Sequence, residues 1–185
     1  MPERVGNESV FDELIAPIQD QMIRSIWRIV RHPDDADDAM QDALAMIWSR
    51  LGRIRRHPNP QALILRICIN CAYDVLRKRI RRERREALTE IDARIRDRRP
   101  GPIELAAGRE HESAVMEALS RLSRQQATAV FMRIVQGQSY EAVAAALDCS
   151  EATARVHVKR GRERLAELLA HLRPSIQPPP GEVAR

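Results

Sequence analysis

The chain is predicted to be all-α, with two small helical domains joined by a flexible linker and a helix-turn-helix in the second. Three observations predict this class. Glycine occurs only seven times in 185 residues, and Ala, Leu, Arg and Glu, which favour helices, are abundant. Aromatics make up 3%, too few for a sheet rich in strand formers. Apolar residues recur at three- and four-residue steps in two blocks, and between them lies a charged stretch ending in Arg-Pro-Gly-Pro at 99–102.

The first block opens with a stripe at Leu14, Ile18, Met22, Ile26 and Ile29 or Val30, with Pro17 inside the run to kink it or delay its start. His32-Pro33 ends that segment, because the residue before proline avoids the helical region. A second helix is expected from Asp34 to about Leu51. Its first turns carry Asp34, Asp35, Asp37 and Asp38, where the helix dipole favours negative charge. Residues 52–60, GRIRRHPNP, read as a loop. From Gln61 a third helix runs past Leu76. Ala62, Leu65, Ile69, Ala72 and Leu76 form its apolar stripe, and Arg66, Asn70, Asp74 and Arg77 form a separate polar one. Residues 77–99 then hold eleven Arg or Lys against five acids. The domains are placed at 8–86 and 111–172, with a linker at 87–110 and a disordered Pro-rich tail at 173–185.

In the second block Val115, Leu119, Leu122, Ala129, Val130, Met132, Ile134 and Val135 supply the apolar pattern. The stretch "SYEAVAAALDCSEATARVHVKRGRERL" then reads as a helix-turn-helix. Ser139 and Ser150 are N-caps, and Asp148 is a turn residue that tolerates the left-handed region. The second helix turns Ala154, Val158, Gly161, Leu165, Leu168 and Leu172 inward. Thr153, Arg155, Lys159, Arg160 and Arg162 are left outward. A helix fits the major groove, and an arginine such as Arg155 can read guanine by a bidentate contact worth about 1–3 kcal/mol. The formal charge of +5 and pI near 9.7 agree with a polyanionic partner. The polar stripe at Arg66, Asn70, Asp74 and Arg77 beside an Arg-rich run is either a second nucleic-acid surface or a plain solvated face.

No apolar run approaches a membrane span, and the N-terminus MPERVGNESVFDEL has no signal-peptide core, so a cytoplasmic protein is expected. Cys68, Cys71 and Cys149 form no disulfide framework. The C-x-x-C of Cys68 and Cys71 lacks the second ligand pair of a zinc site. Without a phosphate loop, nucleophile elbow or clustered histidines, neither enzyme activity nor a cofactor is expected.

"DDADDAMQDALAMIW", then "PQALILRICINCAYDVLRKR", then after the linker "ALSRLSRQQATAVFMRIVQGQSYEAVAAALDCSEATARVHVKRGRERL" resemble an extracytoplasmic-function (ECF, group IV) RNA polymerase sigma factor of the sigma-70 family. The resemblance spans about residues 10–170, and both halves in this order are specific. It implies a bacterial promoter-recognition subunit partnered by core RNA polymerase, promoter DNA and an anti-sigma factor. Asp37, Asp38, Gln41 and Asp42 match polymerase-docking positions. Arg66, Asn70 and Asp74 match positions that open the −10 element, and Arg77, Lys78 and Arg79 suit its backbone phosphates. Arg155, Val156, Lys159 and Arg160 match the groove-facing positions for the −35 element, with Arg133 and Thr153 at backbone contacts. The chain departs from the family at Leu63, where Trp is common, and at Asp148, often Gly. The alternatives are a stand-alone helix-turn-helix regulator and a sigma-like decoy that sequesters an anti-sigma factor.

Overall fold

The computed structural model describes residues 2–94 and 114–172, with side chains described from residue 8 to 87 and from 114 to 172. Within them every regular element is helical. In the first block α1 (Pro2–Ile15) meets a 3-10 turn at Ala16–Ile18, and α2 (Gln19–Val30) follows. Pro17 sits in that turn because its ring clashes with the preceding carbonyl and it brings no amide donor. Arg31 closes α2 in the left-handed region at φ 51°, its amide donating to the Trp27 carbonyl. His32 is extended before Pro33, which occupies the first turn of α3 (Pro33–Ser49). Asp34 and Asp35 lie in that turn, as expected from the dipole.

Two expectations need correction here. The loop expected at 52–60 begins with a single helical turn, α4 (Leu51–Ile54), anchored by the buried side chains of Leu51 and Ile54. The third helix, α5 (Pro60–Arg94), runs well into the segment expected to be linker. Its 35 residues extend about 50 Å. Nothing between Leu76 and Arg94 breaks a helix, and Arg79–Glu83 and Arg82–Glu86 pair at i,i+4 along it. The remainder of the linker and the Pro-rich tail lie outside the described residues.

From Ala62 to Leu76 α5 is buried on nearly every side, and only Arg66, Asn70 and Asp74 interrupt the buried run. It is the central helix of the molecule. α2 and α3 cover it with Met22, Ile26, Ile29, Val30 and Ile47, and the small Ala39 and Ala43 allow α3 a close approach.

The second block is helical at 114–120 (α6) and continues with α7 (Arg124–Val130), α8 (Tyr140–Leu147) and α9 (Glu151–Leu168). A capping box between Ser123 and Gln126 starts α7. A π turn, Phe131–Val135, ends it, and the Gln136 amide donates to the Phe131 carbonyl at 3.1 Å. The wider turn changes the phase of the stripe. Phe131 and Met132 go inward, whereas Ile134 and Val135, expected in the core, are exposed. Val115 is exposed as well, and Met116 takes the buried place beside it. The buried side chains of both blocks join in one cluster.

Candidate nucleic-acid interface

The helix-turn-helix is built by its caps. Ser139 Oγ accepts from the Ala142 amide at 3.0 Å, and Ser150 Oγ accepts from the Thr153 amide at 3.2 Å. Between them Asp148 takes φ 53°, ψ 47°, the left-handed conformation that its short polar side chain tolerates. α9 crosses α7 closely at Gly161, where an added Cβ would stand 2.6 Å from Val130 Cγ2. Ala154, Val158 and Gly161 are buried, while Leu165 and Leu168 are half-buried towards the helix end.

The opposite face carries the residues expected to read DNA. Arg155, Val156, Lys159 and Arg160, spaced i, i+1, i+4 and i+5, are all exposed on one side of α9, with Thr153 at its start. Val156 is an apolar side chain in a basic face, suited to contact with a thymine methyl. Arg133, in the π turn, lies beside α8 and donates to the Gln138 carbonyl at 2.8 Å.

The polar stripe of α5 is not a freely solvated face; its residues are half-buried and form the seam between the blocks. Arg66 donates to the Ala146 carbonyl at 2.6 Å and approaches Asp148 Oδ2 at 3.4 Å. Asn70 Oδ1 accepts from the fully buried Thr128 hydroxyl at 3.1 Å. Asp74 accepts from Arg124 across the seam at 2.9 and 2.7 Å, and from Arg77 on its own helix at 3.4 Å. Arg77 donates to the Ser120 and Leu122 carbonyls at 3.1 and 3.0 Å. A cavity of about 160 Å³ lies along this stripe, with Leu63, Arg66, Ile67, Asn70 and Asp74 on one wall and Arg124 and Asp148 closing it. Leu63, where the family commonly has Trp, is buried there.

Of the residues expected to touch the −10 phosphates, Arg77, Lys78 and Arg79, only Lys78 is exposed. Arg79 is instead bonded inside the first block, to the Val30 carbonyl at 2.8 Å and Asp35 Oδ2 at 2.7 Å. Arg77 is tied across the seam. Both therefore do structural work that the sequence pattern had not indicated. The acidic residues of α3 divide. Asp37, Asp38, Gln41 and Asp42 are exposed, and the last three line a groove of about 490 Å³ with Lys78, Arg79 and Arg82 of α5. An exposed acidic helix face bordered by cations can dock a basic protein surface.

Several residues of the site were not foreseen. Asp148 is a hub, with Arg53 Nη2 at 3.1 Å and His57 Nε2 at 3.6 Å, besides Arg66. His57 is oriented by the Asn59 amide, which donates to Nδ1 at 3.1 Å, and Asn59 Oδ1 caps α5 by accepting from the Ala62 amide. The breaker-rich GRIRRHPNP held these residues, but only pairing with a distant turn gives them a role. Tyr140 is another, and it carries two guanidiniums over its ring. The thiols of the C-x-x-C are buried, and burial first, then the neighbouring Cys71, pushes the Cys68 thiol up to about 12. Among the described residues no three His, Cys, Asp or Glu side chains gather as a metal site, and no helix is long and apolar enough to cross a membrane.

Two family models match the chain: Sigma-70 region 2 over residues 14–83 and Sigma-70, region 4 over residues 112–165. The RNA polymerase sigma-H factor of Pseudomonas aeruginosa is 29% identical over 179 residues, covering 92% of each chain. The ECF RNA polymerase sigma factor SigM of Mycobacterium tuberculosis is 31% identical over 171 residues, 92% of this chain and 83% of that one. The RNA polymerase sigma-E factor of Streptomyces coelicolor is 30% identical over 167 residues, 89% of each. Among solved structures, the sigma factor RpoE of Bartonella quintana, crystallised with the anti-sigma factor NepR, aligns with TM-score 0.47 and 23% identity over 86% of this chain and 96% of that one. With both sigma-70 regions matched in order and relatives of this identity aligned along nearly its whole length, the chain belongs to the ECF RNA polymerase sigma factors.

Proposed function

We propose a division of the sigma-factor task among these surfaces. α9 reads the −35 element through Arg155 and Val156, with Lys159 and Arg160 on the groove-facing side and Thr153 and Arg133 on the backbone. The α5 stripe of Arg66, Asn70 and Asp74 receives the opened −10 strand, with Lys78 meeting its phosphates. Asp37, Asp38, Gln41 and Asp42 dock on core RNA polymerase. The domain limits of 8–86 and 111–172 belong to this proposal, as do a cytoplasmic location and an anti-sigma partner. The observation that carries it is the outward face of α9, four adjacent exposed side chains on a doubly capped helix-turn-helix.

The seam adds a step. Arg66, Asn70, Asp74 and Arg77 are bonded to the second block, so a DNA strand reaches them only after that block leaves α5. Exposed pairs such as Arg53–Asp148 and Asp74–Arg124 contribute about 0.2–1 kcal/mol each. The Arg66 bond to a carbonyl contributes about 1.5–3 kcal/mol. A polymerase surface and a polyanionic strand together can displace bonds of that size.

Run-off transcription with core polymerase tests the assignment. Asp38→Ala with Asp42→Ala is expected to abolish association with core while leaving affinity for a −35 duplex unchanged. Asn70→Ala is expected to impair transcripts from a duplex promoter and to recover on a pre-melted one. Undiminished core binding by the α3 variant would overturn the docking assignment.

A further inference from the structure

Arg155 presents a difficulty that the groove-reading assignment leaves open. A bidentate contact with a base needs the plane of the guanidinium fixed, yet this side chain is long, rotatable and 58% exposed. Its ionic partner among the described residues, Glu151 at 3.2 Å, lies on the same exposed helix face and holds it weakly. The Tyr140 ring supplies the missing constraint. The Arg155 guanidinium carbon lies 4.2 Å from the ring centre, well inside the range where a cation is attracted to an aromatic face. The Arg133 guanidinium carbon lies over the same ring at 4.6 Å and is itself fixed by the Gln138 carbonyl.

The ring is held from behind. Tyr140 begins α8 immediately after the Ser139 cap and is half-buried against the core, so its position is set by the helix-turn-helix itself. Stacking suits arginine in particular, because a planar guanidinium laid on a ring keeps its edge donors free for a base.

We infer that Tyr140 is a positioning residue for promoter readout: its ring orients the Arg155 guanidinium towards the groove and couples it to Arg133 on the DNA backbone. The inference rests on the assignment of Arg155 to base reading, and the test separates the two.

The test uses the full chain assembled with core polymerase and promoters randomised across the −35 element. Arg155→Ala first identifies the base position that loses its preference; if no position changes, Arg155 reads no base and both ideas fall. Given such a position, Tyr140→Leu is expected to reduce preference there by about two- to fivefold, the strength of an exposed cation–ring contact. Other positions should keep their preferences, and Tyr140→Leu should add nothing in the Arg155→Ala background. Tyr140→Phe should behave as the parent. Should Tyr140→Leu not fold, phenylalanine and its mono-, di- and trifluorinated analogues at position 140 keep the ring's shape while draining charge from its face. Preference is expected to fall stepwise along that series. A flat series, or a uniform loss across all sequences, would overturn the role of Tyr140 while leaving that of Arg155 standing.

Discussion

Cys68 and Cys71 show how burial changes a residue's chemistry. On a helix surface this spacing would suit redox or metal work, but here the thiols lie within the packed part of α5. Burial leads in both shifts; for Cys71 the Asp42 and Asp74 carboxylates add to it, and its thiol is pushed up to about 11. Thiols that keep their protons to that pH are poor nucleophiles. A thiol reagent at neutral pH should therefore leave both untouched in the native protein and modify them on unfolding; rapid native-state labelling of Cys68 would contradict its placement. Stability should also depend on pH. The unfolded chain loses these protons near the ordinary thiol value of 9.0, whereas the folded chain holds them to about 11 or 12. Between those values the unfolded state binds fewer protons, so stability falls as pH rises above about 9 and is unaffected by these groups below about 8. Denaturant midpoints across that range, compared with Cys68→Ala, would isolate the effect.

At the scale of the element, the pairing of α7 with α9 depends on one glycine. A methyl at Gly161 would meet Val130 Cγ2 at 2.6 Å, with the Gln126 carbonyl at 3.4 Å behind it. Alanine is the better helix former by about 1 kcal/mol, so propensity alone predicts that Gly161→Ala stabilises. The contact predicts the reverse, a loss of about 1–3 kcal/mol from overpacking. Urea unfolding decides between them, and adding Val130→Ala should recover most of the loss by removing the clashing methyl. The π turn at Phe131–Val135 shows the same dominance of packing over pattern. The sequence continues an apolar run through Ile134 and Val135, but the turn's extra residue points both outward and brings Arg133 beside Tyr140. Straightening that turn would move Arg133 off the ring.

In the whole molecule the two blocks close on each other through polar contacts as well as a shared core. Asp148 projects from the turn of the helix-turn-helix onto Arg53, Arg66 and His57, while Arg124 grips Asp74 further along α5. Replacing both carboxylates, as Asp74→Asn with Asp148→Asn, removes the charges without forbidding the left-handed turn, since asparagine also tolerates it. The variant should keep its helical content but expand, giving a larger radius of gyration by X-ray scattering. Raising the salt towards about 1 M should expand the parent in the same direction, because the screening length then shrinks to about 3 Å, the separation of these exposed pairs. Identical scattering by parent and variant at every ionic strength would mean that the two carboxylates do not hold the blocks together.

The primary structure by itself determined the helical class, the break at Pro17, the caps at Ser139 and Ser150, the left-handed turn at Asp148 and the exposed basic face of α9. Each follows from local rules: ring geometry, capping oxygens, or a period of three to four residues. It also carried the order of modules that places the chain in its family. What it left undecided was the partner of every polar group reaching across distance. Arg66, Asn70, Asp74 and Arg77 read equally well as a solvated face or a nucleic-acid surface, and only the packed second block shows what they touch. Arg79 looked like a phosphate ligand until Asp35 claimed it, and nothing in the sequence singled out Tyr140, over whose ring two arginines lie. A periodic pattern states which side of a helix is polar, but not what lies opposite; that is decided by segments dozens of residues away, whose position no local rule contains.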